Sequence, residues 1–272
     1  MEKANYCLCS EELLAEFRER ADKPDFWLSL WEKTNLEKFL HKYTKGKLGV
    51  VHKKIFCKYL AYDSYIIEGG CGRGQLVYAL KELGYKIIGV EFSFNLVKRI
   101  REIENDLKII VGDVRTIPFK ESSCGAFISF GVIEHYSSIE QKDILLEIKK
   151  VLKPQGLLFL SVPHFSPLFK RLAKKSFKII PEKEASSSER FYQYYYSKKG
   201  IINRIEECGF TPLHFYYDGG VYGAKRSFPL FQKIYNSSKF FRFIVHILDR
   251  TIIPQPFLSY FAHMIFIVAK SV

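Results

Sequence analysis

The sequence is poor in the features that mark several large protein classes. Its six cysteines, at positions 7, 9, 57, 71, 124 and 208, include no C-x-x-C pair. That excludes the common zinc frameworks, and Cys7-x-Cys9 is too tight and solitary to supply one, so no metal site is expected. No apolar run approaches the ~20 residues of a membrane-spanning helix. The longest runs, such as 240–248, are interrupted, there by Arg242 and His246. Residues 1–20 are charged and lack the apolar core of a secretory signal. With scattered cysteines, this predicts a reduced, cytoplasmic compartment. Tryptophan occurs only at 27 and 31, and no internal repeat is visible.

What is abundant is aromatic and basic. The 272 residues include 24 Phe and 17 Tyr, which excludes disorder as the main state. At about 150 residues per domain, the length allows one large domain or two small ones with an ample core. The formal net charge of +13 is unevenly spread. Residues 1–62 carry 12 basic and 9 acidic side chains, residues 63–163 carry 13 of each, and residues 164–272 carry 17 basic against 7 acidic. The positive charge therefore belongs mostly to the last third.

Periodicity divides the chain at the same places. Residues 10–60 read as helices, with Ser10 as an N-cap before Glu11 and Glu12, and with Trp27 and Trp31 four apart on one helical face. From residue 65 short apolar runs alternate with helical stretches. Strands are predicted at 65–67, 86–90, 108–111, 126–130 and 157–162, with helices at 75–83, 95–104 and 141–152. This rhythm predicts an α/β fold with a parallel sheet covered by helices on both faces. Beyond Pro163 come a basic stretch 164–190 with a loop-like 184–189 and a helix 197–207 that Ser197 caps and Gly209 ends. They are followed by a strand near 213–217, a basic aromatic stretch 226–253 and a closing strand 263–269. The expected organisation is an N-terminal helical segment 1–62, placed to act as a lid, and one domain 63–272. In that domain 63–163 is the cofactor half and 164–272 the acceptor side.

The strongest motif is Glu68-Gly69-Gly70-Cys71-Gly72-Arg73-Gly74 between a strand and a helix. Glycines at 70, 72 and 74 let the backbone turn sharply and let a ligand approach it closely. A dinucleotide loop would need Gly or Ala at Gln75 or Gly at Cys71, and a phosphate loop would need a Gly-Lys-Ser/Thr ending; neither is present. Glu91 ends the second strand, 23 residues after Glu68, where a carboxylate can accept both hydroxyls of a ribose. Asp113 follows the third strand, where an acid can accept from an exocyclic amino group. Phe130-Gly131-Val132-Ile133-Glu134-His135-Tyr136 closes the fourth. All four positions fall where open α/β sheets bind ligands.

Five segments in order resemble the class I S-adenosylmethionine-dependent methyltransferases, most closely the small-molecule and lipid-quinone branch. They are 67–74, Val90-Glu91-Phe92-Ser93, Gly112-Asp113-Val114-Arg115 with Ile117-Pro118-Phe119, Val132-Ile133-Glu134-His135, and Leu152-Lys153-Pro154-Gln155-Gly156. The resemblance implies a Rossmann-like, doubly wound, seven-stranded sheet whose last strand is antiparallel, with S-adenosylmethionine as cofactor. It implies that Glu68, Gly70, Cys71, Gly72 and Gly74 border the methionine moiety, and that Glu91 and Phe92 meet the ribose. Asp113 and Val114 would contact adenine, and Phe130 and Gly131 would lie beneath the sulfonium. No Asn/Asp-Pro-Pro-Tyr/Phe stands at the fourth strand, where the chain reads Ser129-Phe130-Gly131-Val132, so methylation of base amino groups is disfavoured.

Such an enzyme aligns a nucleophile with an already reactive methyl group. For a hydroxyl acceptor His135 is the best placed base, though a Glu-His pair at a strand end equally serves to orient the loop. In 164–183 Phe165, Leu168, Phe169, Leu172 and Phe177 alternate with Lys170, Arg171, Lys174, Lys175 and Lys178, and 226–253 repeats the style. Such segments suit either a solvated basic face over core aromatics or an anionic surface. A peripheral contact with an anionic membrane and single-stranded RNA both fit. With no RNA-binding module visible, the reading favours a small-molecule or lipid-linked acceptor, methylated on O or C, over nucleic acid, and with the cofactor loop intact a non-catalytic binding protein on the same fold ranks last.

Overall fold

A computed structural model of the chain describes residues 5–17, 26–27, 29, 35–41, 50–173, 178–221, 224, 229–242 and 255–272. Trp31, Lys174, Lys175, Phe177 and His246, named above, lie outside these residues, as do 226–228 and 243–253 of the second basic aromatic stretch. The helices are α1 (Leu36–His41), α2 (Val50–Tyr59), α3 (Gln75–Glu82), α4 (Phe94–Ile103), α5 (Ser138–Val151), α6 (Pro167–Ala173), α7 (Glu182–Ser187), α8 (Lys198–Glu206), α9 (Pro229–Ser237) and α10 (Gln255–Leu258). The strands are β1 (Asn5–Ser10), β2 (Leu13–Phe17), β3 (Ile66–Gly69), β4 (Ile87–Glu91), β5 (Ile109–Val111), β6 (Cys124–Phe130), β7 (Leu152–Pro163), β8 (Lys178–Ile179), β9 (Phe191–Tyr196), β10 (Phe210–Asp218) and β11 (Met264–Ser271).

Seven strands form one sheet in the order β10-β11-β7-β6-β3-β4-β5, parallel except that β11 runs antiparallel to both neighbours. The chain leaves β3 for β4 on one side and returns to β6 on the other, so a topological switch point lies at β3. Successive residues feed opposite faces. Ile67, Phe127, Leu158, Leu160 and Ile267 join one apolar layer, with Ile144, Leu145 and Ile148 of α5. Ile66, Ile128, Phe159, Phe266 and Val268 join the other, with residues of α1–α4. Both faces are covered, which is why these strands read as unbroken apolar runs.

Local chemistry sets the helix starts. Ser93 caps α4, accepting from the Leu96 N–H at 3.3 Å. Ser137 and Glu140 form a reciprocal capping box on α5, and Ser197 caps α8 as expected. Pro154-Gln155-Gly156 interrupts regular pairing of β7 between Cys124↔Leu152 and Ala126↔Leu157, with Gln155 at φ +62°.

The N-terminal expectation needs correction. Residues 5–17 form the hairpin β1–β2, not a helix, within a second sheet ordered β8-β1-β2-β9. Ser10 accepts from the Glu12 N–H at 3.1 Å, so its hydroxyl caps a hairpin turn, not a helix. Leu13, Leu14, Ala15, Glu16 and Phe17 are good helix formers in part, but pairing with the buried tyrosines of β9 overrides propensity. The stretch 184–189, expected as loop, is largely the short helix α7.

The basic aromatic stretch 164–183 is also revised. Phe165 and Phe169 are buried with Leu14 and Tyr195 in a small core of the second sheet. Among the described residues of 226–253, Phe240 is 73% exposed beside exposed Lys239.

Candidate active site

At the carboxyl ends of β3–β6 the sheet opens into a cleft. Its wall includes Glu68, Gly70, Cys71, Gly72, Glu91, Phe92, Asp113, Val114, Phe130, Gly131 and His135, so eleven sequence-predicted residues converge there. Gly74 does not line it. That glycine instead opens α3 in the left-handed region (φ +74°), where an added Cβ would sit 2.6 Å from Ile109 Cδ1. Gly70 has φ +68°, and a Cβ there would lie 2.6 Å from Val132 Cγ2.

The β3–β5 side is acidic. Glu91 is buried, and its carboxylate is tied to the loop it faces. Oε2 accepts from the Gly72 N–H at 3.0 Å, and Oε1 accepts from the Ser93 N–H at 3.0 Å. Burial raises its pKa, against the pull of those N–H groups. Glu68 is buried without such compensation for Oε2, which has no partner among the described residues. Burial first, and the neighbouring Glu91 charge besides, push its carboxyl up to about 8. A buried, unsatisfied acid facing a cleft is unusual in a finished core and fits a cationic ligand group. Asp113 differs from expectation in being shared. Arg115 Nη2 donates to its Oδ2 at 2.7 Å, and the Arg115 backbone N–H to its Oδ1 at 2.8 Å. Burial alone would raise this carboxyl, but Arg115 outweighs it and holds the pKa below the usual range.

The β6 side is aromatic. His135 Nδ1 lies 2.8 Å from the Tyr192 carbonyl, which can only accept, so neutral His135 carries its proton on Nδ1 and its basic lone pair on Nε2. Its ring contacts Trp27 at 5.0 Å and Tyr192 at 5.2 Å between centroids. Trp27 lines the cleft, placing a residue of the predicted lid segment at the site. Tyr136 lines it too, and its carbonyl accepts from Gln141 Nε2 at 2.9 Å while Gln141 Oε1 accepts from Tyr196 at 2.6 Å. The bracing role of the β9 tyrosines has no local signal in the sequence. Glu134, beside His135, is buried outside the cleft lining, with Oε2 unpartnered among the described residues and its carboxyl raised by burial to about 8.

The residues present fit S-adenosylmethionine: glycines with positive φ to admit a ligand against backbone, buried acids for cationic and hydroxyl groups, and a drier aromatic end beyond. Comparison with known proteins agrees. A methyltransferase-domain family model matches residues 67–160. The tRNA (carboxymethyluridine(34)-5-O)-methyltransferase of Macaca fascicularis is 30% identical over 161 residues, covering 55% of this chain but 24% of that protein. The demethylmenaquinone methyltransferase of Renibacterium salmoninarum is 28% identical over 139 residues, 50% of this chain and 56% of that one. The chain thus spans about a quarter of the first relative's length and little more than half of the second's. A SAM-dependent methyltransferase structure from Methanosarcina mazei shares the fold, with a TM-score of 0.53 and 16% identity over 80% of this chain and 97% of that one. Sheet order, cleft and family model agree: residues 67–160 match a methyltransferase domain, on the fold of S-adenosylmethionine-dependent methyltransferases.

Proposed function

We propose that the chain transfers a methyl group from S-adenosylmethionine to a small-molecule or lipid-linked acceptor that enters at the aromatic end of the cleft. The observation that carries this reading is the buried Glu68 Oε2, without a partner among the described residues, beside the Gly70–Gly72 loop and Glu91, a cradle for a cationic ligand with a ribose. The bound cofactor supplies an activated methyl group, so the chain needs no nucleophile of its own. Glu68 faces the amino-acid end, Glu91 takes the ribose hydroxyls while steadying Gly72, and Val114 and Asp113 border the adenine. Trp27, His135 and Tyr136 hold the acceptor and exclude water. His135, oriented by the Tyr192 carbonyl, accepts the acceptor's proton at Nε2.

A second reading, an RNA acceptor, is favoured by the 30% identity to a tRNA methyltransferase and by the 17 basic against 7 acidic residues after 163. Burial of Phe165 and Phe169 removes two of the aromatics that membrane insertion would have used. No helix among the described residues is long and apolar enough to cross a membrane.

The test is calorimetry with S-adenosylmethionine, followed by labelled-methyl transfer to separate lipid, tRNA and polar small-molecule fractions. Label in the lipid or polar fraction supports the first reading, and label in tRNA alone the second. Cofactor that does not bind defeats both.

A further inference from the structure

The positive charge of the last third is concentrated within it. Ten of its 17 basic residues fall in two stretches, 164–181 and 219–248, that hold no Asp or Glu at all. All seven acids of that third lie outside them. Strand pairing places both stretches on one edge of the sheet. Met264 pairs with Pro163 and with Asp218, so β7 ends, β10 ends and β11 begins in a single row. Phe130, at the end of β6, pairs with Ser161, two residues before that row. Each acid-free stretch therefore starts from the edge where the cleft opens.

Apolar side chains stand in the open along the same connections. Phe257 of α10 is 65% exposed and Tyr260 is 43% exposed. The Tyr260 carbonyl accepts from the Leu168 N–H at 3.2 Å, which joins this pair to the first turn of α6. Lys170 of α6 is tied to Glu11 at 3.0 Å, but Arg171 beside it is exposed. The unit around α9 repeats the arrangement. Phe231 stacks with Tyr235 at 6.3 Å and meets Phe241 at 5.5 Å between centroids. Ser238 Oγ caps the following turn by accepting from the Phe241 N–H at 3.1 Å. Phe241 thus packs on its neighbours while Phe240 is left 73% exposed, with Lys233, Ile234 and Lys239 also in the open. Arg242 donates to the carbonyls of Tyr235 and Asn236, uncharged partners that leave its positive charge unneutralised.

Exposed rings and an aliphatic side chain among lysines and arginines have the chemistry of an interfacial anchor. The apolar tips leave water for the acyl boundary, and the cations pair with anionic headgroups. Single-stranded RNA would use the same charge, but it stacks its bases on ring faces and gains nothing from Ile234. We infer that this edge of the sheet docks on an anionic bilayer through Ile234, Phe240, Phe257 and Tyr260, with Lys233 and Lys239 holding the headgroups. The inference goes beyond the methyltransferase reading and holds whichever acceptor is methylated.

The test sediments the full chain with vesicles of phosphatidylcholine alone and of phosphatidylcholine with one quarter phosphatidylglycerol, across a salt series. The anionic vesicles should bind at least tenfold more tightly at low salt. Salt should weaken that binding without abolishing it, because the apolar contact is not screened. Phe240→Ser combined with Phe257→Ser should lower affinity for anionic vesicles tenfold or more. Val272→Ser, at a residue 69% exposed on the opposite edge of the sheet, should leave it unchanged. Lys233→Gln combined with Lys239→Gln should weaken binding severalfold and flatten its salt dependence. None of these residues lines the cleft, so circular dichroism and S-adenosylmethionine titration establish that each variant is folded. No binding of the wild-type chain to anionic vesicles at low salt, or full binding by the double serine variant, overturns the inference and leaves the cofactor reading untouched. Binding to polyuridylate with a steep, linear dependence on log salt, without binding to vesicles, overturns it in favour of RNA.

Discussion

The two ends of the cleft are built on opposite terms. On the β3–β5 side the protein meets its ligand with backbone and carboxylates: glycines in left-handed conformations, and Glu91 gripping the Gly72 N–H so that acid and loop form one unit. On the β6 side it uses side-chain rings held in place from behind by a second sheet. The first end gathers residues 68–72, 91 and 113, each at the end of successive strands. The second gathers Trp27, residues 130–136 and Tyr192, brought together only when the hairpin β1–β2 pairs with β9. A site of the first kind tolerates almost no added volume, and one of the second kind depends on remote supports. Mutations should separate them.

The largest effect is expected at Gly70. A valine there must hold a φ of +68° that β-branched residues rarely adopt, and its Cβ would press on Val132 Cγ2 at 2.6 Å. Gly70→Val should abolish measurable S-adenosylmethionine binding by calorimetry while circular dichroism stays native-like. Retained affinity would mean that the glycine loop is not the ligand's floor. Next is Glu91→Ala, which removes the acceptor for two buried N–H groups as well as the proposed ribose contact. Hydrogen bonds to a charged group contribute about 1.5–3 kcal/mol each, so affinity should fall by roughly tenfold to a hundredfold. An unchanged dissociation constant would detach Glu91 from the ribose.

The same contrast explains what the sequence made legible. Strand positions, the glycine loop, Glu91 and Asp113 were readable because each depends on a local pattern: an apolar run, a turn, or an acid at a strand's end. The closing strand β11 was readable as a strand, and its antiparallel setting came with the family resemblance. The second sheet was not readable. Leu13–Phe17 carries helix formers, and nothing nearby reveals that the Phe191–Tyr196 strand waits to pair with it. Nor could the sequence show that Phe165 and Phe169 face a core. Amphipathic spacing gives a side, but which side is covered is decided by distant chain. The clamp of Arg115 on Asp113 sat only two residues away and was missed because a Gly-Asp pair reads as ordinary turn chemistry.

Buried acids on the two sides sharpen the comparison through pH. Glu68 and Glu134 both have carboxyls raised to about 8 by burial, from 4.5. In the folded chain each keeps its proton until about pH 8, whereas in the unfolded chain it is lost near 4.5. Stability from these groups is therefore present at low pH and falls as pH rises from about 4.5 to 8. Glu68→Gln and Glu134→Gln should each flatten that slope in thermal melts. Only Glu68 lines the cleft, and a cation beside it favours the carboxylate. Cofactor binding below pH 8 should therefore release protons and tighten as pH rises, levelling off above 8. Calorimetry at pH 7 in buffers of different ionisation enthalpy reads that release, which Glu68→Gln should abolish and Glu134→Gln should leave intact. Equal proton release from both variants would place the linked group elsewhere.

The smallest change is expected from the support of the aromatic wall. Tyr196→Phe deletes one hydroxyl, which donates to Gln141 Oε1 at 2.6 Å in a buried chain leading to the Tyr136 carbonyl. The ring volume is kept, so no cavity opens. The cost is the Gln141 oxygen left unpaired away from water, about 1–3 kcal/mol, or roughly 2–4 °C of melting temperature for each kcal/mol in a chain of this size. S-adenosylmethionine affinity should hold within about twofold, because neither Tyr196 nor Gln141 touches the acidic end of the cleft. Stability and cofactor affinity therefore move apart in this variant, whereas Glu91→Ala lowers affinity through the acidic end. A Tyr196→Phe protein with native melting temperature would show that Gln141 finds another partner and that β9 does not brace Tyr136. A loss of cofactor affinity in step with stability would show that the two ends are coupled through the segment after β6, where Phe130 and Tyr136 are only six residues apart in one connected stretch.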